Sequence, residues 1–262
     1  MQGENKNKPR AMVLRTAGTN CDYETLYCLG LAGFEAEAVH VNKLISGAKS
    51  LQDYRLLVLP GGFADGDYLG SGKILANKIT YRLGRLVPQF VEQGNAVLGI
   101  CNGFQVLVKA GLLPALEGKY GEQQVTLTFN ESGHFQDEWI EMQNVNKARC
   151  AMVKGIKTIE CPINHGEGRF IPASADVLRE LYKKDLVVFK YAGNGKGKNP
   201  NGSTDDIAGI CDETGRVLGL MPHPEKNHSA LNHPHSTRVE MPAESRNSGV
   251  QLFRKIFSSL DE

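Results

Sequence analysis

Two short runs limit the fold more than anything else in this chain. Leu56–Leu59 and Ala96–Ile100 contain no polar residue. A strand with one wet face alternates apolar and polar residues; a strand covered on both faces does not. A third apolar run covers 11–15, and 34–41 reads as a strand. Between these runs stand segments of helical spacing. Asp22–Ala32 places Tyr23, Leu26, Tyr27 and Leu29 at helical intervals and ends at Gly33, a plausible C-cap. Residues 72–93 have helical composition with a break near 84–88, and 102–110 reads as a helix stopped by Gly111. Strands separated by helices imply right-handed crossovers and a mainly parallel α/β sheet flanked by helices.

The second half is richer in strands. Residues 124–129, 138–142 and 186–191 read as added strands. Ile207–Cys211 and 217–221 flank Asp212-Glu213-Thr214-Gly215 and form a hairpin. Residues 248–260 read as a closing amphipathic helix. Neither an internal repeat nor a domain linker stands out, so 11–262 reads as one domain. Residues 1–10 are polar and Lys/Asn-rich without the apolar stretch of a signal peptide, and read as a disordered lead-in. Residues 193–203 read as a mobile loop.

Composition removes several classes of function. A formal net charge of +1 gives no steering toward nucleic acid or an anionic membrane. No apolar run approaches the ~20 residues that span a bilayer. The six cysteines, at 21, 28, 101, 150, 161 and 211, form no CxxC pair. That argues against structural zinc and against a disulfide framework, and suits reduced thiols in the cytoplasm. The glycines of Gly193-Asn-Gly195-Lys-Gly197-Lys198 meet neither phosphate-loop nor dinucleotide spacing, so no ATP site is expected.

Chemistry concentrates at the end of the second apolar run. In Gly99-Ile100-Cys101-Asn102-Gly103 a cysteine stands between strand and helix, with glycines two residues away on each side. That spacing allows a sharp, strained turn that pushes a nucleophile out at the carboxyl edge of a sheet. The helix N-terminus behind it favours thiolate, and the N–H of Asn102 is placed to donate to an oxyanion. Most free cysteines are small buried hydrophobes; here the turn reverses that expectation.

A thiol nucleophile needs a base. Of seven histidines, only His223 follows directly from an apolar run, within Pro222-His223-Pro224-Glu225. The prolines hold the segment out of a helix, and Glu225 stands two residues on, where it can hold the far imidazole nitrogen. The glycines of Pro60-Gly61-Gly62-Phe63, at the same sheet edge, let backbone N–H groups approach a reacting centre as a second oxyanion donor. Cys21 also follows a strand but lacks the flanking glycines, and Asn20 or Asp22 beside it reads as a helix cap. His223, His228, His233 and His235 make no H-E-x-x-H pair, so no metal site is expected.

These residues resemble class I, triad-type glutamine amidotransferases, which have a flavodoxin-like fold. Further segments narrow the likeness: Gly18-Thr19-Asn20-Cys21-Asp22, Gly61 to Tyr68, Asn130-Glu131-Ser132-Gly133, His165-Gly166-Glu167-Gly168-Arg169-Phe170 and Asn199 to Ser203. The set is similar to the family of glutaminase subunits of phosphoribosylformylglycinamidine synthase. The resemblance implies Cys101 as nucleophile, His223 as acid/base and Glu225 as its orienter, with Gly62 and Asn102 at the oxyanion. It places Phe63, Gln105, Asn130 and Ser132 near a glutamine pocket. His165, Gly166, Glu167, Gly168 and Arg169 face the opening toward a synthetase subunit. It implies no cofactor here, with ATP and Mg on the synthetase, and a small accessory subunit as a further partner. Other amidotransferases share the triad, but Asn102 and the 165–170 segment set the chain apart from them. An intact triad argues against a non-catalytic regulatory subunit. Stress-type cysteine hydrolases place their histidine beside the cysteine. This chain carries His134 and Glu138 where the family often has Arg, so neither is assigned to the glutamine carboxylate.

Overall fold

The two apolar runs form the centre of a nine-stranded sheet. The computed structural model describes residues 8–192, 199–238 and 248–260. The first half contains β1 (Arg10–Arg15), α1 (Asp22–Ala32), β2 (Glu35–His40), α2 (Val41–Ile45), β3 (Leu56–Leu59), α3 (Lys73–Lys78), α4 (Leu86–Glu92), β4 (Ala96–Ile100) and α5 (Asn102–Lys109). The second half contains β5 (Val125–Thr128), β6 (Gln136–Asn144), β7 (Thr158–His165), β8 (Arg169–Pro172), α6 (Ala175–Lys183), β9 (Val187–Ala192), β10 (Ile207–Cys211), β11 (Val217–Leu220) and α7 (Ser248–Ser259).

The sheet runs β2-β1-β3-β4-β11-β10-β9-β6-β7, and β5 and β8 pair separately. Its first five strands are parallel. The other four join through antiparallel pairs. The parallel part has the 2-1-3-4-5 order of flavodoxin-like folds. β3, β4 and β11 are buried at every position, which is why their sequences lack alternation. Because β11 returns from the second half to lie beside β4, both halves share one sheet and one core.

Register then determines the chemistry. Leu59 lies opposite Gly99, and Ile100 opposite Leu220. The segments after β3, β4 and β11 therefore leave the sheet at one carboxyl edge, and the segment after β1 joins them through a bridge between Thr19 and Gly62. Such edges are where open α/β sheets bind ligands.

Several elements depart from the sequence reading. β7 and β8 were not anticipated, and β7 contains Pro162, which argues against a strand. β7 is the outermost strand, however, and needs only one ladder. The Pro162 carbonyl accepts the N–H of His223 at 2.8 Å, so that side of the residue faces the 221–226 segment. α6 is also unanticipated. Leu181 is its only fully buried residue, so its apolar stripe is thin, although Ser174 caps it by accepting from Val177 N. The 72–93 helix breaks where expected: a π-turn over Ile79–Leu83 follows α3, and the chain bends at Gly84 (φ 55°) before α4.

The lead-in is shorter than expected. Arg10 opens β1 and the Pro9 carbonyl accepts from Glu35 N, while residues 1–7 lie outside the described residues. Residues 193–198 of the expected mobile loop also lie outside them. Residues 199–203 are tied down: Asn199 Oδ1 accepts from Gly202 N and Ser203 N, and Asn201 Nδ2 donates to Gly168 O and Tyr191 Oη. Among the described residues no helix is long and apolar enough to cross a membrane.

A Cβ at position 103 would lie 1.8 Å from the Leu59 carbonyl oxygen. Gly103→Ala therefore has to push α5 off β3. We expect a loss of about 3 kcal/mol or more, read as a lower urea midpoint at unchanged slope.

Candidate active site

Cys101 bridges β4 and α5 with φ 49° and ψ −105°, a conformation that costs a non-glycine residue about 1–3 kcal/mol. Its backbone is pinned on both sides: Cys101 N donates to Leu220 O at 2.8 Å, and Gln105 N to Cys101 O at 3.0 Å. The flanking glycines are needed because the turn is tight. A Cβ on Gly99 would lie 2.5 Å from Leu107 Cδ1. The turn was expected to push the sulfur into solvent, but the thiol is buried, because β7 covers it and its Asn164 O stands 3.6 Å away.

The imidazole arrives from β11. His223 and Glu225 are almost fully buried, and Nδ1 meets Glu225 Oε1 at 2.6 Å. The other nitrogen, Nε2, makes no hydrogen bond of good geometry among the described residues, although the Cys101 and Cys21 thiols both lie close enough to the ring to influence it. Burial alone would lower the ring's pKa. The Glu225 carboxylate and then the Cys101 sulfur outweigh it and hold the pKa well above the ordinary value. The pocket thus favours an imidazolium beside the Cys101 sulfur. Gly61 makes room for the ring, since a Cβ there would lie 2.6 Å from His223 Cε1.

The segment after β3 supplies the remaining wall. Gly62 has φ 139°, and a Cβ there would lie 2.7 Å from Asn20 N. Phe63 follows and is half-exposed. Asn102 N begins α5 and so has no intrahelical acceptor. The Asn102 side chain braces this wall: Oδ1 accepts from Ala64 N at 3.1 Å, and Nδ2 donates to Asp67 Oδ1 and Gln105 Oε1, both at 3.0 Å.

The expected pocket residues have diverse roles in the structure. Gln105 is committed on both sides of its amide, donating from Nε2 to Glu167 O at 2.7 Å. Asn130 holds the 165–168 turn, donating to His134 O and His165 O and accepting from Gly168 N and His165 Nδ1. Ser132, His134 and Glu138 are exposed. Glu167 accepts from Ser71 N and lies 3.5 Å from Lys109 Nζ. Gly166 O accepts from Asn130 N. Arg169 donates to Gly202 O. Gly168 is glycine because a Cβ would lie 2.2 Å from the His165 ring.

The decoy histidines do not share a centre. His228 turns to the Glu225 carbonyl and Tyr27, and His233 to Glu160, Trp139 and His235. Sequence reasoning missed Cys21. Its donor atom lies within 4.8 Å of those of His223 and Glu225. The available signal was its place after β1, a parallel strand ending at the same edge as Cys101.

Residues 8–258 match the profile of a CobB/CobQ-like glutamine amidotransferase domain. The phosphoribosylformylglycinamidine synthase subunit PurQ of Treponema denticola is 46% identical over 240 residues, covering 84% of this chain and 88% of that protein. The chain belongs to the PurQ family of glutamine amidotransferases. The PurQ subunit of Methanococcus maripaludis is 40% identical over 233 residues, covering 86% and 85%. A PurLQS structure from Thermotoga maritima superposes with a TM-score of 0.72 at 32% identity, covering 96% of this chain and 98% of that one. PurQ proteins are the glutaminase subunits of phosphoribosylformylglycinamidine synthase, and this chain is one of them. The elbow, the Asn102 brace and the 165–170 turn are thus features of a PurQ-family chain.

A buried histidine near His223 gives a test in solution. Burial first, and the charge of His223 second, push the His165 ring down to about 4. Its Nδ1 donates to Asn130, so the ring is neutral with Nε2 bare. Between about pH 4 and the ordinary value near 6.5, the unfolded chain binds the extra proton and the folded one does not. Stability should therefore fall as pH drops through that window, by on the order of 3 kcal/mol. His165→Gln should flatten this slope in urea titrations between pH 4 and 6.5.

Proposed function

We propose that Cys101 attacks the side-chain carbonyl of glutamine and that the freed ammonia passes to a synthetase subunit. The observation that carries this reading is the strained Cys101 turn beside an imidazole that Glu225 grips at 2.6 Å. Cys101 Sγ adds to the carbonyl carbon as thiolate, and the oxygen becomes an oxyanion facing the N–H groups of Asn102 and Gly62. Loss of one such donor typically costs ~10²–10³ in rate. The His223 imidazolium protonates the departing nitrogen, ammonia leaves, and Cys101 holds a glutamyl thioester. His223, now neutral, takes a proton from water, which cleaves the thioester and releases glutamate. Phe63 stands at the mouth of this wall, and the Gln105 and Asn130 brackets support the pocket from behind.

Membership of the PurQ family and the likeness to a PurLQS structure support a synthetase partner and a small accessory subunit. On this reading ATP and Mg²⁺ act on the synthetase, where ammonia converts formylglycinamide ribonucleotide to formylglycinamidine ribonucleotide. The chain itself needs no cofactor for the steps above. Six free, buried thiols suit the reducing cytoplasm.

Cys101→Ala should abolish glutamine-dependent synthesis by the assembled complex while synthesis from ammonium salts continues. Glutamine turnover persisting in this variant would remove Cys101 from the reaction. Glu225→Gln removes the strongest influence that raises the His223 pKa. Its kcat/KM should fall by on the order of 10²–10⁴. The limb that reports imidazolium should move to lower pH, as measured in a pH profile of glutamate release.

A further inference from the structure

Cys21 is a second thiol in the triad pocket, with no part in the steps above. It ends the segment after β1, where its N–H donates to Gly61 O at 3.2 Å. Its thiol donates to Asn20 Oδ1 at 3.2 Å. The sulfur and the His223 ring press on the same glycine: a Cβ on Gly61 would lie 3.3 Å from Cys21 Sγ and 2.6 Å from His223 Cε1. One donor atom from each of Cys21, His223 and Glu225 lies within 4.8 Å of the others, and all three residues are more than nine-tenths buried. Two polar atoms of this cluster are buried without a hydrogen bond of good geometry among the described residues, His223 Nε2 and Glu225 Oε2. Cys101 borders the same imidazole.

A thiol, an imidazole and a carboxylate on one centre, with the Cys101 sulfur beside the same ring, suit a thiophilic cation. Thiolates and imidazole select Zn²⁺ or Cd²⁺, whereas Mg²⁺ and Ca²⁺ require oxygen. Donors around a tetrahedral zinc stand roughly 3–4 Å apart, so the cluster must contract by about 1 Å.

We propose that Cys21, His223 and Glu225, closed by Cys101, form an inhibitory site for a thiophilic divalent cation. Coordination displaces the remaining thiol proton and the imidazolium proton of His223, which pass to solvent, and no atom changes oxidation state. The metal and the reaction compete for the same imidazole and the same Cys101 sulfur, so occupancy stops turnover. The site rests on the placement of Cys101 and His223 in the reaction described above. Cys21 is what distinguishes it from any cysteine–histidine pair.

The test uses the full chain, titrated with Zn²⁺ and separately with Co²⁺ as a spectroscopic probe. Wild type should bind one ion, lose glutaminase activity in step with binding, and show thiolate-to-cobalt charge-transfer absorption. Mg²⁺ should have no such effect. Cys21→Ser should weaken Zn²⁺ binding by about 10–100-fold and reduce the charge-transfer intensity. Both readouts hold even if this variant turns over slowly, and thermal melting checks that it is folded. Unchanged affinity and spectrum in Cys21→Ser would overturn the proposal, leaving Cys101 and His223 as the only target. Unchanged binding after alkylation of Cys101 would overturn it too, by placing the ion elsewhere. Glutamine turnover in Cys101→Ala would instead sink the reaction scheme, a separately readable failure.

Discussion

The close approach of α5 to the end of β3 is the contact on which the rest of the site depends. With 1.8 Å between a notional Cβ on Gly103 and the Leu59 oxygen, only glycine lets the helix start there. The helix must start there if Cys101 is to be held at φ 49° between a ladder bond to Leu220 and the first turn of α5. Strain of this kind persists only where the surroundings over-determine it. Here Leu59 and Leu220, on the two strands flanking β4, supply that constraint. Thiol position is therefore fixed by packing between backbones, which resists thermal blurring better than a side-chain contact does.

The buried His223–Glu225 pair depends on a different kind of constraint. His223 and Glu225 come from a segment 122 residues after Cys101, and their placement is set by β11 lying in register beside β4. The Pro162 carbonyl then fixes the His223 backbone from β7 on the far side. A buried carboxylate is costly unless paired, and Glu225 is paired with a ring whose positive charge it sustains. Each partner offsets the burial of the other, which keeps a polar pair in place where the strand core would favour apolar side chains.

Much of the parallel half was legible because burial on both faces leaves an unbroken apolar signal. β3, β4 and β10 match their expected spans, and α1 ends at Gly33 in the left-handed conformation. The Cys101 turn and the His223–Glu225 pair were legible because prolines and glycines mark unusual backbone in one dimension. β7 was hidden because its proline is harmless only at a sheet edge, and a sequence does not reveal which strand is outermost. α6 was hidden because its single buried leucine leaves little periodicity. Cys21 was not legible because it lacks the flanking glycines of a nucleophile's turn. Its nearness to His223 comes from β1 and β11 sending their following segments to one edge, which is information held in topology.

The same topology explains why Asn102 and the 165–170 segment belong together. Asn102 grips Ala64 and Asp67 on one side and Gln105 on the other, and Gln105 grips the Glu167 backbone. The Glu167 carboxylate then accepts the N–H of Ser71, whose carbonyl takes Lys109 Nζ at 2.5 Å. Along this loop Asp65, Asp67 and Leu69 all have positive φ, an uncommon conformation for residues other than glycine. Asp65 is held by Lys78 and Thr16, and Asp67 by Gly72 N and Asn102. The strained wall that carries Gly62 is thus fastened to the nucleophile's own helix and to the turn after β7. In a low-dielectric setting such a chain of hydrogen bonds is stiff when complete and costly when broken. A displacement of the 165–170 turn would therefore be transmitted to the backbone facing Cys101 and not absorbed on the way.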